Sequence, residues 1–328
     1  MTPFAVNRER CADVAAVIRR LRLPCPREST PPLPFTREEE ANFWFFLGAI
    51  CHQTSPIHGR ALAGIVDRTP RRGWDFLLHT FLTSATTDRS LLDVDTWAAF
   101  TAQRITALFG DQISLPERRA TLVRDLARGL HEQGWTSIYP AAAFCGHLID
   151  GPEPNLLRLL SRYEAYSDPV QKKSSFFLAL MSNSRLWHYA DPHNLPAPVD
   201  YHEVRGHLRL GTVIIRDPAI SDSIACAEPL DADLDVALRL AVRDALRLVA
   251  TASGVTANAL HYFLWNLFRT YCVRGTPKCD GGAFHGLPAE YRRVVTRAGG
   301  TRCPFASCCN SAFLPRPLNE HVTLTEYY

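Results

Sequence analysis

PAPVDYHEVRGHLRLGTV (196–213) carries more structural information than any other stretch outside the cysteines. Asp200 and Glu203 have capping-box spacing, with Asp in place of Ser or Thr, which predicts a helix beginning at Asp200. Val204 and Leu208 fall on one face of that helix. Gly211 suits the left-handed residue that closes one. By spacing alone, Asp200 is a helix cap.

Outward from this segment the chain reads as helix. TREEEANFWFFLGAICHQ (36–53) offers Thr36 as N-cap, Glu39 three residues on, and then an apolar run. WAAFTAQRITALFG (97–110) and ERRATLVRDLARGLHEQG (117–134) repeat apolar residues at i, i+3/i+4 and stop at glycine. DPVQKKSSFFLALMSN (168–183) predicts a helix with an Asp cap and Pro169 at its first position. ADLDVALRLAVRDALRLVATASG (232–254) and TANALHYFLWNLFRTY (256–271) are two more. Only TVIIR (212–216) and HVTLT (321–325) resemble strands. PCPRESTPPLPFT (24–36) is a proline-rich connector after an N-terminal helix. The expected class is all-α, in three segments: 1–35, N-terminal helix and connector; 36–271, a helical body of two lobes; 272–328, a cysteine-rich metal-binding region and tail.

The chain has 328 residues, 46% hydrophobic, enough for one large domain or two lobes with a core. No stretch approaches the ~20 uninterrupted apolar residues of a membrane span. The N-terminus lacks a secretory h-region, so a cytoplasmic protein is expected. A net charge of +3 is too mild to identify a nucleic-acid partner. Locally, YRRVVTRAGGTR (291–302) carries Arg292, Arg293, Arg297 and Arg302 with no acid. Of ten cysteines, Cys11, Cys25, Cys51, Cys145 and Cys226 are scattered and read as buried free thiols. Cys272, Cys279, Cys303, Cys308 and Cys309 fall within 38 residues. In a reducing compartment such clustering points to a metal.

VDYHEVRGHLRLG (199–211) resembles the VDTHVxRVxxRLG segment of the helix-hairpin-helix base-excision DNA glycosylases, the endonuclease III and adenine glycosylase family. Val199, Asp200, His202, Arg205, Arg209, Leu210 and Gly211 match. The resemblance implies a two-lobed, all-α glycosylase-like fold with a C-terminal metal-binding cysteine loop. It also implies that Asp200 is the catalytic carboxylate. Breaking an N-glycosidic bond builds positive charge on the sugar, and a nearby carboxylate offsets it.

HYFLWNLFRTYCVRGTPKC (261–279) resembles the family's approach to its [4Fe–4S] loop. Six residues separate Cys272 from Cys279, and five separate Cys303 from Cys309, as in the family's first and second cysteine pairs. The resemblance implies these four as ligands of a [4Fe–4S] cluster, with Cys308 spare; zinc is the alternative for four thiolates. The chain has 23 residues between Cys279 and Cys303 where relatives have two. In relatives the first loop meets DNA phosphate, which assigns Arg274 and Lys278 to that contact. QKKSSFFLAL (171–180) resembles the stretch carrying the Schiff-base lysine of strand-cleaving members, with Lys173 aligned best, although the glycine hairpin is absent. An ordinary solvated lysine pair explains the same residues. FWFFLGAICHQTSP (43–56) resembles the helix that leads into a DNA-entering glutamine, here Gln53. His52 and His58 are expected to be structural.

The resulting expectation is a monomeric DNA N-glycosylase that excises a flipped-out modified base. One lobe joins the N-terminus to the metal region, the other is a helical barrel over roughly 57–195, and Asp200 lies in the cleft between them. Two other readings share the sequence. The queuosine-salvage N-glycosylases resemble it in an Asp segment and in ALHYFLWNLF (259–268), and they act on nucleotides. A metal-stabilised nucleic-acid-binding module would have no catalysis.

Overall fold

The computed structural model describes residues 2–24, 33–56, 61–280, 282, 284–298, 300–314 and 316–328. The fold is all-α, with two small two-stranded sheets among the described residues. In order come β1 (Phe4–Val6), α1 (Arg8–Leu21), α2 (Arg37–Ile50), β2 (Ala63–Val66), β3 (Thr69–Arg72), α3 (Gly73–Thr87), α4 (Val94–Ala98), α5 (Ala102–Phe109) and α6 (Pro116–Glu132). Then follow α7 (Ala141–Phe144), α8 (Leu156–Leu160), α9 (Lys172–Asn183), α10 (Tyr201–Leu210), β4 (Val213–Ile215), α11 (Pro218–Ala225), α12 (Ala232–Ser253), α13 (Ala257–Thr270) and α14 (Ala289–Arg297). The chain divides into two compact units, Met1–Arg27 with Pro196–Leu324, and Glu28–Leu195 with Thr325–Tyr328. No helix is long and apolar enough to cross a membrane among the described residues.

The unit holding α2–α9 is built around α2. Thr36 and Glu39 form the reciprocal capping box expected of them. Beyond that turn the helix is buried on every side and apolar except for Asn42, the mark of a helix enclosed by others. Phe43, Trp44, Phe45 and Phe46 are all buried. Phe46 stacks on Phe81 with centroids 4.3 Å apart, and Phe45 on Tyr166 at 5.1 Å. Gly48 permits this closeness, because a Cβ there would stand 2.5 Å from the Tyr166 hydroxyl.

The other unit packs α1, α10 and α13 against α12. Leu238, Ala241, Val242, Ala245, Leu246 and Val249 give α12 a buried stripe at helical spacing. β1 pairs antiparallel with β4, Phe4 opposite Ile215 and Val6 opposite Val213.

Several expectations change. The run 97–110 is two helices, because Thr101 caps α5 by accepting from the Arg104 amide and so breaks the run. The helix expected from Asp168 starts at Lys172 instead. Asp168 accepts from the Val170 and Lys172 amides in a turn, and Gln171 takes the left-handed conformation. HVTLT makes one isolated bridge, Val322 to Pro229, rather than a strand. The β2–β3 hairpin was not expected. Its tip, Asp67 and Arg68, has φ of 50° and 61° with no glycine to announce it. Cys11, Cys51 and Cys145 are buried as expected, but Cys226 is exposed. Cys25, His58 and most of the proline-rich connector lie outside the described residues.

Candidate active site and cysteine centre

Asp200 is the N-cap of α10, in extended backbone. Its Oδ1 accepts from the amides of His202 at 2.8 Å and Glu203 at 3.2 Å. Oδ2 accepts from the Trp265 indole Nε1 at 3.0 Å and faces His202 Nδ1 at 3.2 Å. Three N–H donors thus hold the carboxylate, on both of its oxygens, and its side chain keeps 14% exposure. Burial lowers the proton affinity of His202 more than the Asp200 charge raises it, which favours a neutral imidazole. Burial and Asp200 together push the Tyr201 phenol up to about 12. A carboxylate fixed by N–H donors on both oxygens is suited to act as a fixed negative charge. It is poorly suited to take a proton.

The rest of the 199–211 motif builds the platform. Gly206 receives the Phe268 ring so closely that a Cβ would fall 2.0 Å from it. Gly211 closes α10 at φ 80°. Glu203 does not turn back to the Asp200 amide as a capping box would. It is fully buried, with Oε1 2.7 Å from His261 Nδ1 and Oε2 3.5 Å from His207 Nε2. Burial pushes its carboxyl up, but the two histidines outweigh that and leave it lowered.

Arg205 and Arg209 reach into the loop after α13. Arg205 donates to the Cys272 carbonyl at 2.7 Å and pairs with buried Glu320 at 2.8 Å. Arg209 donates to the Val273 carbonyl at 2.8 Å and to Cys272 Sγ at 3.2 Å. Removing one partner from such a buried pair costs about 3–5 kcal/mol, so these arginines hold the cysteine loop to the helix that begins at Asp200. Arg274 lies over the Tyr201 ring at 4.9 Å and also bonds Glu320. Exposed Lys278 lies 5.7 Å from the Tyr271 ring centre.

Cys272, Cys279, Cys303 and Cys309 line one cavity of about 30 Å³, together with Arg209, Leu267, Phe268 and Phe305. The two ends of the 280–302 insertion lie side by side, since the Cys303 amide donates to the Cys279 carbonyl at 2.9 Å. Burial first, and then the other three sulfurs, push the Cys303 thiol up. Burial, Cys272, Cys279 and Cys308 do the same to Cys309, to about 11. Cys308 does not line that cavity; the charges acting on it are Arg10, Asp13 and Arg20, of which Arg10 and Asp13 lie on α1 with Arg20 near its end. Among the described residues, no group of three or more His, Cys, Asp or Glu side chains is set to hold a metal ion.

In the other unit, Lys173 is fully buried. Its Nζ donates to the Ala49 carbonyl and lies 3.3 Å from His52 Nδ1. Arg119 donates to the Ile50 carbonyl beside it. The two cations therefore satisfy carbonyls that the C-terminus of α2 leaves open, an arrangement the solvated-lysine reading did not foresee. Burial, Lys172 and Arg119 bring the Lys173 amine down to about 7. His52 is buried and held well below the usual histidine range, by burial first and then by Arg119 and the lysines. Gln53 donates from Nε2 to the Thr325 carbonyl at 3.0 Å.

The Lys173 amine has a pH consequence. Its folded proton affinity lies below that of an unfolded lysine, so between pH ~7 and ~10 the unfolded chain binds the extra proton. Stability is expected to rise with pH across that window, with a slope of up to about 1.4 kcal/mol per unit. Urea midpoints at pH 7 and 9 check this. Lys173→Met should lose that part of the slope, and equal slopes in the two proteins would disprove the assignment.

No family model matches the chain, and no curated protein matches it. Among solved structures it is similar to Pa-AGOG, the 8-oxoguanine DNA glycosylase from Pyrobaculum aerophilum, in complex with 8-oxoguanosine. The TM-score is 0.40 and the identity 17%, with 90% of each chain covered.

Proposed function

We propose that the protein is an N-glycosylase that removes a modified base from DNA, with Asp200 stabilising the sugar cation. The observation that carries this reading is the Asp200 carboxylate itself, held at a helix N-terminus by two amides and an indole N–H and still partly exposed. The helix dipole and these donors favour the ionised form. As the base leaves, the sugar becomes oxocarbenium-like. At ~4 Å and an effective dielectric of ~20, the attraction is about 4 kcal/mol. With both oxygens of Asp200 held by N–H donors, its role is electrostatic: the C1′–N bond breaks with its electron pair leaving on the base, water then adds to the cationic C1′, and the water proton passes to the departing base or to solvent.

Four thiolates suit an iron–sulfur cluster, and we assign Cys272, Cys279, Cys303 and Cys309 as its ligands. The same four thiolates would also suit one tetrahedral zinc. What supports the assignment is that these four line one cavity with the paired spacing that resembles the iron–sulfur loop. A bound cluster would supply positive charge that offsets the mutual repulsion of the thiolates and would lock the 272–279 loop. Arg274 and Lys278, carried on that loop, would then meet backbone phosphate.

The test is base release under single-turnover conditions from duplex oligonucleotides carrying a panel of oxidised, alkylated or deaminated bases, beside free modified nucleotides. Release from duplex alone supports the reading. Release from nucleotides alone transfers the same carboxylate to a small-molecule substrate. Salt-sensitive DNA binding with no release leaves a binding module. Borohydride in the same reaction decides strand cleavage: a trapped adduct that disappears in Lys173→Met adds a lyase step at Lys173.

A further inference from the structure

We propose that Glu203 and His261 are positioning residues for Asp200, acting through Trp265. The proposal rests on the role given to Asp200 above. His261 and Trp265 are four residues apart on α13 and so share one face. Both reach the first turn of α10, His261 to Glu203 at 2.7 Å and Trp265 to Asp200 at 3.0 Å.

The two contacts differ in setting. Glu203 is 0% exposed and His261 5%, so their bond is shielded from water and rigid. Trp265 is only half-buried, and Arg269 lies over its ring at 4.9 Å. Packing alone therefore does not fix the indole. A turn of α13 about its own axis would carry Nε1 away from Oδ2, and the Glu203–His261 bond resists that turn.

Stability alone does not explain the pair. A buried carboxylate costs free energy unless fully partnered, and apolar residues of similar volume commonly serve as well. The carboxylate also sits where a capping-box glutamate would face outward to the Asp200 amide. Here it is turned inward, to His261 and to His207, whose Nδ1 is in turn 2.7 Å from Thr212 Oγ1. Fixed geometry at Asp200 is what this arrangement provides.

The test uses the full chain labelled with 5-fluorotryptophan, with the Trp265 resonance assigned by Trp265→Phe. Glu203→Leu and His261→Phe are each expected to move that resonance. Each should also slow single-turnover base release about tenfold while leaving half-saturation by DNA unchanged. Glu203→Gln keeps an acceptor oxygen for His261 and should restore the resonance and most of the rate. In an Asp200→Asn background, Glu203→Leu should cost nothing further.

A Trp265 resonance that stays in place in folded Glu203→Leu or His261→Phe overturns the proposal, whatever the activity. An additive loss in the Asp200→Asn background also overturns it. A resonance that moves in a protein releasing no base upholds the positioning and removes only the glycosylase reading.

Discussion

Asp200→Asn is expected to leave the protein folded and to slow base release about a thousandfold. Asn is as good an N-cap as Asp, and its amide oxygen can still accept from the His202 and Glu203 amides. The substitution removes the charge. The ~4 kcal/mol estimated for a carboxylate beside the sugar cation corresponds to about three decades in rate. Asn also places an NH₂ group against the Trp265 N–H, so a modest loss of stability is expected and should be measured separately by melting. Single-turnover release by Asp200→Asn, compared with its urea midpoint, separates the two effects. A rate within a few-fold of the parent would remove Asp200 from the chemistry. A loss matched by unfolding would return it to the role of a cap.

The helices were legible because their signals are local. Thr36 with Glu39, Asp231 before α12 and Thr256 before α13 each cap the helix they precede. Pattern misled where a cap was hidden inside a periodic run, as at Thr101, or where a turn formed without glycine, as at Asp67–Arg68. β1 is three residues long, too short to show alternation, and exists because β4 pairs with it from over 200 residues away. The candidate site divides in the same way. The position of Asp200 could be read from its own neighbours. Its partner Trp265 is 65 residues distant, and Glu203 reaches His261 across 58. A lone Trp or His on an apolar helix gives no sign of such a bond. The setting of Lys173 depends on the carbonyl end of α2 and on Arg119 from α6, neither of which its own segment reveals.

The cysteines give the second large effect. Cys279→Ser and Cys303→Ser are expected to lose most of the bound iron and to melt well below the parent, while Cys308→Ser keeps both near parental values. The discriminating observation is placement: Cys279 and Cys303 share a cavity with Cys272 and Cys309, and Cys308 does not line it. Thiols already pushed up by burial and by one another would release their protons to solvent on binding a cluster, whose binding free energy then counts toward folding. The check is iron and sulfide content with the absorption near ~400 nm expected of such clusters, in protein purified without oxygen. Iron retained by Cys303→Ser and lost by Cys308→Ser would reverse the ligand assignment. A colourless parent with one zinc per chain would replace the cluster by a single ion held by the same sulfurs. Arg209 makes the outcome relevant to the site as well. It touches Cys272 Sγ from the helix that Asp200 begins, so disorder in the cysteine loop would remove a buried tether of that helix. Base release by Cys303→Ser should then fall along with the iron.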